Sequence, residues 1–317
     1  MKEESPMLHS PLKPGFFKRR WKNRGLYLLI ILPTVYVILF NYIPIYGVVM
    51  AFQRYTPRLG IISSPWVGFY QFQRFFTSPM AFSIIRNTLV LSFYSIIAGF
   101  PLPLLMAIFI NHCIFRKFKK IVQSITFAPY FLSTVILVGL VMQLLDIRTG
   151  AVNILLSAIG IDPVNFMGSP ENFPNVFVWS QIWRGTGYSA VIYIAALSSV
   201  DPGMHEAAII DGATLWQRVW HIDLPSIRLI ILILVILSMG GILSTDFERA
   251  FLLQNPLNLT SSEVISTYVY KVGLGAVGGR PDYSFGTAIG LFQNVIGVIM
   301  VLTVNRVVNS ISGEGLF

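Results

Sequence analysis

Few residues of this chain have the types and spacing that catalysis requires. The four histidines, His9, His112, His205 and His221, are never spaced as a zinc-binding HExxH motif. The single Cys113 excludes a disulfide within the chain and a cysteine-rich metal site. No GxxxxGK phosphate loop occurs, and no paired carboxylates mark a cleft for acid–base chemistry. The sequence therefore predicts neither a metal site nor an enzyme active site.

Charged side chains inside apolar segments are more informative, because each costs several kcal/mol in hydrocarbon unless it is paired or hydrated. Arg184 lies in one such segment, and Asp246, Glu248 and Arg249 lie near the end of another. Two interpretations are open for these charges. They line a polar path or pair with a second subunit, or they pair internally and fix the register of the helices.

Six side chains at membrane depth or near the end of an apolar segment are candidates for lining a substrate path. The aromatic ones would stack on sugar rings, although packing or an interfacial belt explains aromatic residues equally well. The candidates are Gln143, Trp183, Arg184, Tyr188, Tyr193 and Asn294.

The most regularly punctuated polar interval, residues 201–225, reads DPGMHEAAIIDGATLWQRVWHIDLP. Asp201 suits a helix N-cap, and Pro202 suits the first helical position, where a missing N–H costs nothing. Gly212 is placed to end that helix in a left-handed turn. The pattern predicts a short helix between Asp201 and Gly212.

A second short helix is predicted directly after this turn. Thr214 and Gln217 have the spacing of a capping box at its start, and we expect Pro225 to end it. Its apolar side chains share one face, which either lies on the bilayer surface or docks on a protein partner. They are Leu215, Trp216, Val219 and Trp220.

The composition points to a membrane protein. Of the 317 residues, 54% are hydrophobic and only 12% are charged, and the mean hydropathy is +0.68. Soluble domains carry about 25% charged residues. The net charge of +9 comes from basic residues that lie beside apolar segments and do not form a groove with interleaved aromatics. We therefore expect contact with membrane lipid and none with nucleic acid.

Six segments are long enough to cross a bilayer, which takes about 20 helical residues. We predict an all-α membrane protein in which residues 1–25 form a cytoplasmic basic tail and residues 26–317 form one six-span domain. The predicted spans are Leu26–Phe52, Phe82–Ile110, Ile121–Leu145, Val176–Val200, Ile227–Phe251 and Phe285–Val308.

The distribution of basic residues predicts the orientation. The tail holds seven of them, and four more, from Arg116 to Lys120, separate the second and third spans. This bias favours both termini in the cytoplasm, with the 201–225 interval, between spans four and five, on the same side. The glycosylation sequon Asn258-Leu259-Thr260 then falls in an outer segment, where we interpret it as accidental.

The 201–225 interval resembles a known family motif. Glu206-Ala207-Ala208, then Gly212 and then Ile222-x-Leu224-Pro225 match the EAA loop of binding-protein-dependent ABC importer permeases at all seven fixed positions and at the family's spacing. Weaker similarity from about residue 26 onward resembles the polysaccharide-type branch of the maltose-transporter permease superfamily. It is carried by the runs Ile31–Thr34, Asn41–Pro44, Trp66–Gly68, Asn87–Leu89, Val264–Tyr270 and Gly290–Gln293. The chain lacks the extra spans or inserted outer domain of maltose members and ends in Phe317, where the branch commonly has Trp.

The resemblance implies a multi-pass subunit of an alternating-access importer in a bacterial cell membrane. It implies a second homologous permease, two cytoplasmic ATPase subunits that bind ATP and Mg²⁺, an extracytoplasmic solute-binding protein and an oligosaccharide cargo. No cofactor is expected in this chain. The residues implied to couple it to the ATPases are Glu206, Ala207, Ala208, Gly212, Leu215, Trp216, Val219, Trp220, Ile222, Leu224 and Pro225.

Two other classes of function are alternatives to an ABC importer permease. An ion-coupled secondary transporter needs intramembrane acids or inverted repeats, and the charges near Arg249 are a weak sign of it, whereas no repeat is visible. A membrane-embedded enzyme lacks a recognisable active site. The identity of the sugar stays open, since Arg54, Arg58 and Arg74 in the first outer segment suit an anionic saccharide or lipid phosphates equally.

Overall fold

A computed structural model describes residues 24–275 and 279–312, and the regular secondary structure within these ranges is helical. In this part of the chain, the β-type pairing is limited to an isolated bridge between Gln53 and Trp66. The helical fold class predicted from the sequence is thereby confirmed.

The chain divides into two compact units, residues 1–49 and residues 50–317, which are described separately. The predicted basic tail, residues 1–25, falls almost wholly outside the described residues, and Phe317 lies outside them as well.

One long apolar helical stretch begins in the first unit and ends at the start of the second. Helix α1, Arg24–Val37, is continued by a π-helical turn over Ile38–Tyr42 and a 3-10 segment over Ile43–Phe52. The stretch Tyr27–Phe52 is 26 residues long and apolar enough to cross a membrane, which agrees with the predicted first span.

The second unit is built from helices of very different lengths. We number them in chain order: α2 (Gly60–Ser63), α3 (Tyr70–Phe76), α4 (Pro79–Gly99), α5 (Pro101–His112), α6 (Arg116–Phe127), α7 (Thr134–Leu144), α8 (Ala151–Ala158), α9 (Phe173–Leu197), α10 (Pro202–Ile210), α11 (Leu215–Arg218), α12 (Leu224–Ser226), α13 (Arg228–Gly240), α14 (Phe247–Leu253), α15 (Leu259–Ser262), α16 (Ile265–Gly273) and α17 (Tyr283–Ser312).

By length and composition, four helical stretches among the described residues are able to span a membrane, or up to five if one bent pair counts as a single span. The fourth predicted span, now α9, is not among them. The four stretches are Tyr27–Phe52, Pro79–His112, Leu215–Gly240 and Tyr283–Ser310.

Helix α9 is the central helix of the second unit, which explains its weaker apolar character. It packs against α4, α5, α6 and α7, so much of its surface contacts protein. Gly187 is essential to this packing, because a Cβ atom there would lie 2.2 Å from the backbone oxygen of Thr126 in α6. Small residues that let helices approach closely are typical of helix interfaces in membranes.

The third predicted span, Ile121–Leu145, is not one straight helix. Helix α6 and the 3-10 turn Ala128–Phe131 form one arm, and α7 forms the other at 106° to it. The residue before α7, Ser133, is extended, and its hydroxyl accepts the N–H of Ile136 at 3.3 Å. Pro129 and this new N-cap together explain why the helix breaks.

The fifth predicted span, Ile227–Phe251, is also interrupted. Helix α13 ends at Gly240, and α14 begins after Asp246, whose carboxylate accepts the N–H of Arg249 at 3.2 Å. The late charges of the predicted span therefore belong to a separate short helix with its own cap. A serine, a threonine and two glycines in residues 240–245 favour this break.

Asparagine side chains hold the segment between α14 and α16 against the rest of the second unit. Asn87 in α4 donates to the carbonyl oxygens of Thr260 and Glu263, and Asn258 donates to that of Met167 at 3.0 Å. Asn258 is buried, so the sequon is closed to glycosylation in this fold. Its interpretation as an accidental match is consistent with this burial.

Candidate functional site

The first helix of the 201–225 interval forms as the sequence predicts. The Asp201 carboxylate accepts the N–H of Gly203 at 2.9 Å, and Pro202 occupies the first turn of α10. Gly212 follows the helix with φ +79°. The N–H of Ala213 reaches back to Ala208 O at 2.8 Å, which completes a Schellman motif.

The second helix begins with the predicted capping box. The N–H of Thr214 donates to the Gln217 amide oxygen at 2.7 Å, and the Thr214 hydroxyl accepts the N–H of Gln217 at 3.4 Å. These two bonds satisfy N–H groups that the first turn of any helix leaves without partners. The local sequence alone is sufficient to start α11.

The prediction that Pro225 ends this helix is wrong. Residues Val219–Asp223 form a π-helical turn that leads into α12 and α13, so one helical stretch runs from Leu215 to Gly240. The wider turn takes the N–H of Leu224 back to Val219 O, and the Ser226 hydroxyl donates to Ile222 O at 2.6 Å. A π turn just before proline re-satisfies the backbone that proline disturbs.

The apolar face of the second helix is exposed, with one exception. Trp216 and Trp220 are 66% and 63% exposed, whereas Val219, the first residue of the π turn, is only 3% exposed and packs inward. Ile222 is buried as well. Two residues of α10, Ile209 and Ile210, are exposed as well. We call the exposed apolar residues of the two helices the loop face: Ile209, Ile210, Leu215, Trp216 and Trp220.

The other residues of the motif lie on the same loop. Glu206, Ala207 and Pro225 are exposed, whereas Ala208 and Leu224 are partly buried. The eleven predicted coupling residues therefore form an outward-facing group and an inward-facing group. Val219 and Ile222 are the buried residues of the inward-facing group.

A buried carboxylate joins the loop to the end of α5. Asp223 is fully buried, and one of its oxygens lies 2.6 Å from His112 Nε2. The other oxygen lies 3.4 Å from Nε2 of His205 in α10. This His–Asp–His bridge therefore connects α5, α10 and the π turn, and sequence reasoning missed it because its members are far apart in the chain.

The described residues present no metal centre. Within residues 24–275 and 279–312, no three His, Cys, Asp or Glu side chains are placed to hold a metal ion.

A cleft of about 390 Å³ opens between α4, α5, α9, α13 and the break that follows α13. Apolar side chains line it together with several hydroxyl groups, the amide of Gln181 and the carboxylate of Asp246. The polar residues that line it include Ser92, Ser95, Gln181, Ser189, Ser238 and Ser244.

The structure does not bring the six predicted path residues together. Tyr193 lines this cleft, and Asn294 lines a separate groove of about 560 Å³ between α13 and α17. Tyr188 stacks on Tyr130 with ring centroids 3.8 Å apart, and Arg184 donates to the Thr134 hydroxyl at 3.2 Å. Gln143 and Trp183 are exposed and line neither cavity.

Residues of α9 that line the cleft were missed. Gln181, Gly185 and Ser189 recur at four-residue spacing, which puts them on one helix face. A stripe of small and polar residues within an apolar helix is a signal that the sequence does contain. The predicted path residues of α9 are mainly aromatic and do not include this stripe.

Arg249 lies directly behind the cleft wall. It is 1% exposed, its guanidinium carbon lies 4.1 Å from the centroid of the Phe177 ring, and its Nη2 donates to the Gln181 amide oxygen at 2.8 Å. Asp246 approaches its Nε at 3.9 Å. These contacts favour the interpretation of the late charges as an internal pair, with Glu248 exposed nearby.

Comparisons with known proteins identify the family of this chain. Residues 75–313 match the model of the family described as "binding-protein-dependent transport system inner membrane component". The polygalacturonan/rhamnogalacturonan transport system permease protein YteP of Bacillus subtilis (strain 168) is 40% identical over 296 residues, which are 93% of this chain and 91% of that protein. Protein LplB of the same organism is 36% identical over 316 residues, which are 100% of this chain and 98% of that protein.

Solved structures give the same result. A chain of a bacterial ABC transporter involved in the import of the acidic polysaccharide alginate superposes with a TM-score of 0.84 at 37% identity, covering 93% of this chain and 99% of that one. The expected resemblance to carbohydrate-type ABC importer permeases is confirmed. The chain belongs to the family of inner-membrane components of binding-protein-dependent transport systems.

Proposed function

We propose that this chain is one of two permease subunits of an ATP-driven importer for oligosaccharides of acidic polysaccharides. It crosses the bacterial cell membrane six times, with both termini in the cytoplasm. Helix α9 and the bent α6–α7 pair serve as spans in addition to the four long apolar stretches. The substrate passes between this chain and its second, homologous permease.

The observation that carries this proposal is the construction of the 201–225 loop. Its outward surface is an apolar face with two largely exposed tryptophans, and its inward surface is held to α5 through buried Asp223. A loop with one docked and one free side is suited to carry movement from a partner into the spans. The helical stretch Leu215–Gly240 provides a rigid connection between them.

The partners follow from the family and from this loop. Two cytoplasmic ATPase subunits bind ATP and Mg²⁺, and each permease loop sits in a cleft of one of them. An extracytoplasmic solute-binding protein delivers the sugar. A similar chain, 36% identical over 95% of this one with a TM-score of 0.85, comes from a bacterial alginate ABC transporter solved in complex with an alginate pentasaccharide-bound periplasmic protein, which supports this partner.

The proposed cargo class comes from the relatives and fits the cleft. Polygalacturonan and alginate are polymers of uronic acids, and the relatives named for them cover more than nine-tenths of this chain. The hydroxyl groups and the Gln181 amide that line the cleft offer hydrogen bonds to sugar oxygens. The names of the relatives support a cargo that carries carboxylates, and the cleft lining supports a saccharide of either charge.

Replacing Trp216 with alanine tests the docking of the loop face. Truncating a central interface aromatic typically costs ~2 kcal/mol or more, roughly a thirtyfold loss of affinity. We expect Trp216→Ala to lower retention of the ATPase subunits on the purified permease in detergent. Trp66→Ala is the matched control, because Trp66 is 65% exposed and lies away from the loop. Trp66 precedes α4, whereas the loop contacts His112 at the other end of the α4–α5 stretch.

Gln217→Ala, on the same helix, is unsuitable as a control because it removes the capping box as well. Equal ATPase retention in Trp216→Ala, Trp66→Ala and the unmodified protein would reject docking and favour a loop that lies on lipid.

A further inference from the structure

We infer that the start of helix α6 binds the headgroups of anionic phospholipids. The surface is formed by residues 114–120, which we call the basic surface. The inference rests on the proposed function for its side of the membrane, because that function places this end of α6 at the cytoplasmic leaflet. The basic surface contains none of the predicted coupling or path residues.

The cations of the basic surface have no acidic partner in the part of the chain that the structure describes. Residues 116–120 contain four basic side chains, and no acidic residue occurs between Glu4 and Asp146. None of the four forms an ion pair with a described carboxylate. Neighbouring cations repel one another, so anions from outside the chain stabilise this arrangement.

Apolar side chains of the same segment are exposed beside these cations. Ile114 is 82% exposed, and Phe115 next to it is exposed as well. Phe118, Ile121 and Ile125 follow at spacings of three and four residues, which places them on one face of α6, and all three are exposed. This stripe needs apolar contact at the same place where the cations need anions.

The order of side chains around α6 suits the boundary of a lipid leaflet. Helical spacing places Lys117 and Lys119 on the two sides of the apolar stripe. Lysine side chains in such positions lie along apolar surface and extend their charged ends to the headgroups. Val122 and Thr126 are half-buried, and α6 packs against α9, so a third side of the helix contacts protein.

A lipid fits this surface better than an acidic protein does. The apolar stripe continues along α6 toward α7, and the two helices together are apolar enough to form a bent membrane span. The basic surface is therefore continuous with a segment that contacts acyl chains. An anionic phospholipid offers a charged headgroup and an acyl chain in one molecule, which matches both parts of the surface.

The basic surface is joined directly to the anchor of the 201–225 loop. Three residues separate α6 from His112, the last residue of α5, and His112 Nε2 lies 2.6 Å from buried Asp223. Helix α9 packs against both α5 and α6. A headgroup that holds the start of α6 therefore also restrains the α5 side of the His–Asp–His bridge. We expect anionic lipid to strengthen coupling between the loop and the spans.

Lys117→Gln/Lys120→Gln tests the inference, because both side chains are exposed and their removal leaves no cavity. Each basic side chain near an anionic surface contributes roughly fivefold to the attraction, so we expect about 25-fold weaker binding of phosphatidylglycerol. The first measurement is the phosphatidylglycerol bound by the complete transporter in detergent, titrated and counted by native mass spectrometry.

The second measurement is ATP hydrolysis stimulated by the loaded binding protein. The complete transporter is reconstituted in vesicles of phosphatidylcholine alone or mixed with phosphatidylglycerol. We expect phosphatidylglycerol to raise stimulated hydrolysis in the unmodified transporter and to have no effect in the glutamine variant. Lys117→Arg/Lys120→Arg is the matched control, since it keeps both charges and should respond as the unmodified protein does.

Equal binding of phosphatidylglycerol by the glutamine variant and the unmodified transporter would overturn the inference, and so would an arginine control that loses the response. Inorganic phosphate that replaces phosphatidylglycerol in phosphatidylcholine vesicles would overturn it too, because the surface would then bind a soluble anion. Arg116→Gln/Lys117→Gln serves if the first variant does not accumulate.

Cys113 separates failure of this inference from failure of the proposed function. It is the single cysteine of the chain, it is partly exposed, and it lies directly before the basic surface. A membrane-impermeant maleimide applied to sealed vesicles should label it only from the side on which ATP acts. Labelling from the binding-protein side would refute the proposed orientation, whereas the lipid titration in detergent tests the basic surface without reference to orientation.

Discussion

The 201–225 loop and the α4–α9 cleft are built in opposite ways. The loop is one continuous stretch, and its caps, turn and exposed aromatics all lie within 25 residues. The cleft is assembled from α4, α5, α9, α13 and the break after α13, which are separated by up to about 150 residues. The loop therefore needs only a short sequence to form, whereas the cleft depends on the packing of the whole second unit.

Both regions nevertheless rely on one buried charged residue at their junction with the rest of the protein. Asp223 connects the loop to α5 and α10, and Arg249 connects α14 to the cleft wall on α9. The difference lies in what the buried group controls. Asp223 fixes the position of a whole helical element, while Arg249 fixes the orientation of one amide.

Removing Asp223 should have the largest effect on the loop. Asp223→Leu removes the hydrogen-bond acceptor of the partly buried His112 and the carboxylate that lies 3.4 Å from His205, and a polar group left unsatisfied costs about 1–3 kcal/mol. We expect the permease to remain in the membrane but to lose most of the ATP hydrolysis that a loaded binding protein stimulates. Stimulated hydrolysis by the reconstituted complex is the measurement.

Asp211→Leu provides the control, since Asp211 is an exposed aspartate of the same loop at the end of α10. If the loaded binding protein stimulates ATP hydrolysis equally in Asp223→Leu and Asp211→Leu, the His–Asp–His bridge plays no part in transmitting movement between the permease and the ATPases. Asp223→Asn, which keeps one acceptor oxygen for His112, should fall between the two.

Gly212→Val should have the next largest effect. The residue has φ +79°, and the left-handed region costs a β-branched side chain about 1–3 kcal/mol. A Cβ atom at this position meets nothing within 4 Å, so the penalty comes from the backbone and not from a clash. We expect weaker ATPase retention and lower uptake in Gly212→Val.

Gly212→Asn separates conformation from bulk. Asparagine tolerates the left-handed region much better than valine does, so this variant should recover most of the coupling. Equal losses in the valine and asparagine variants would show that the turn geometry is not what the loop requires.

The sequence predicted the loop well wherever a local interaction decides the outcome. Asp201 and the Thr214–Gln217 capping box follow from side chains that bond to backbone within three residues, and the Gly212 turn follows from the freedom of glycine to adopt a positive φ. Pro225 is the exception, because proline ends a helix only when no wider turn accommodates it. The π turn before it could not be inferred from residue types.

Contacts over long sequence separations could not be predicted. His112 and Asp223 are 111 residues apart, and Arg249 and Gln181 are 68 apart. The sequence does predict that charged residues inside apolar segments, such as Arg184 and Arg249, need partners or hydration. The identity of the partners depends on how α5, α9 and α14 pack, and this packing cannot be inferred from residue types in a single sequence.

A substitution in the 146–149 turn should have the smallest effect. The turn is a local hydrogen-bonded motif without a buried charged residue, so it contributes little to stability. The Asp146 carboxylate accepts hydrogen bonds from the N–H groups of Arg148 and Thr149 at 2.9 and 2.7 Å and from the Thr149 hydroxyl at 2.8 Å. The bonds to Thr149 contribute most to lowering the pKa of Asp146 below its ordinary value of 3.8. A carboxyl with a depressed pKa stabilises the fold above its ordinary pKa and loses that contribution as the pH falls through its folded-state value.

Asp146→Asn should therefore lower the melting temperature slightly at neutral pH, and the difference from the unmodified protein should shrink as the pH falls below about 4. Thermal unfolding of the purified permease in detergent, followed as a function of pH, is the measurement. A difference that stayed constant across this range would mean that the ionised carboxylate is not what stabilises the turn. Coupling to the ATPases should be unchanged in this variant, because the turn shares the short-range bonding of the 201–225 loop but has no buried residue comparable to Asp223.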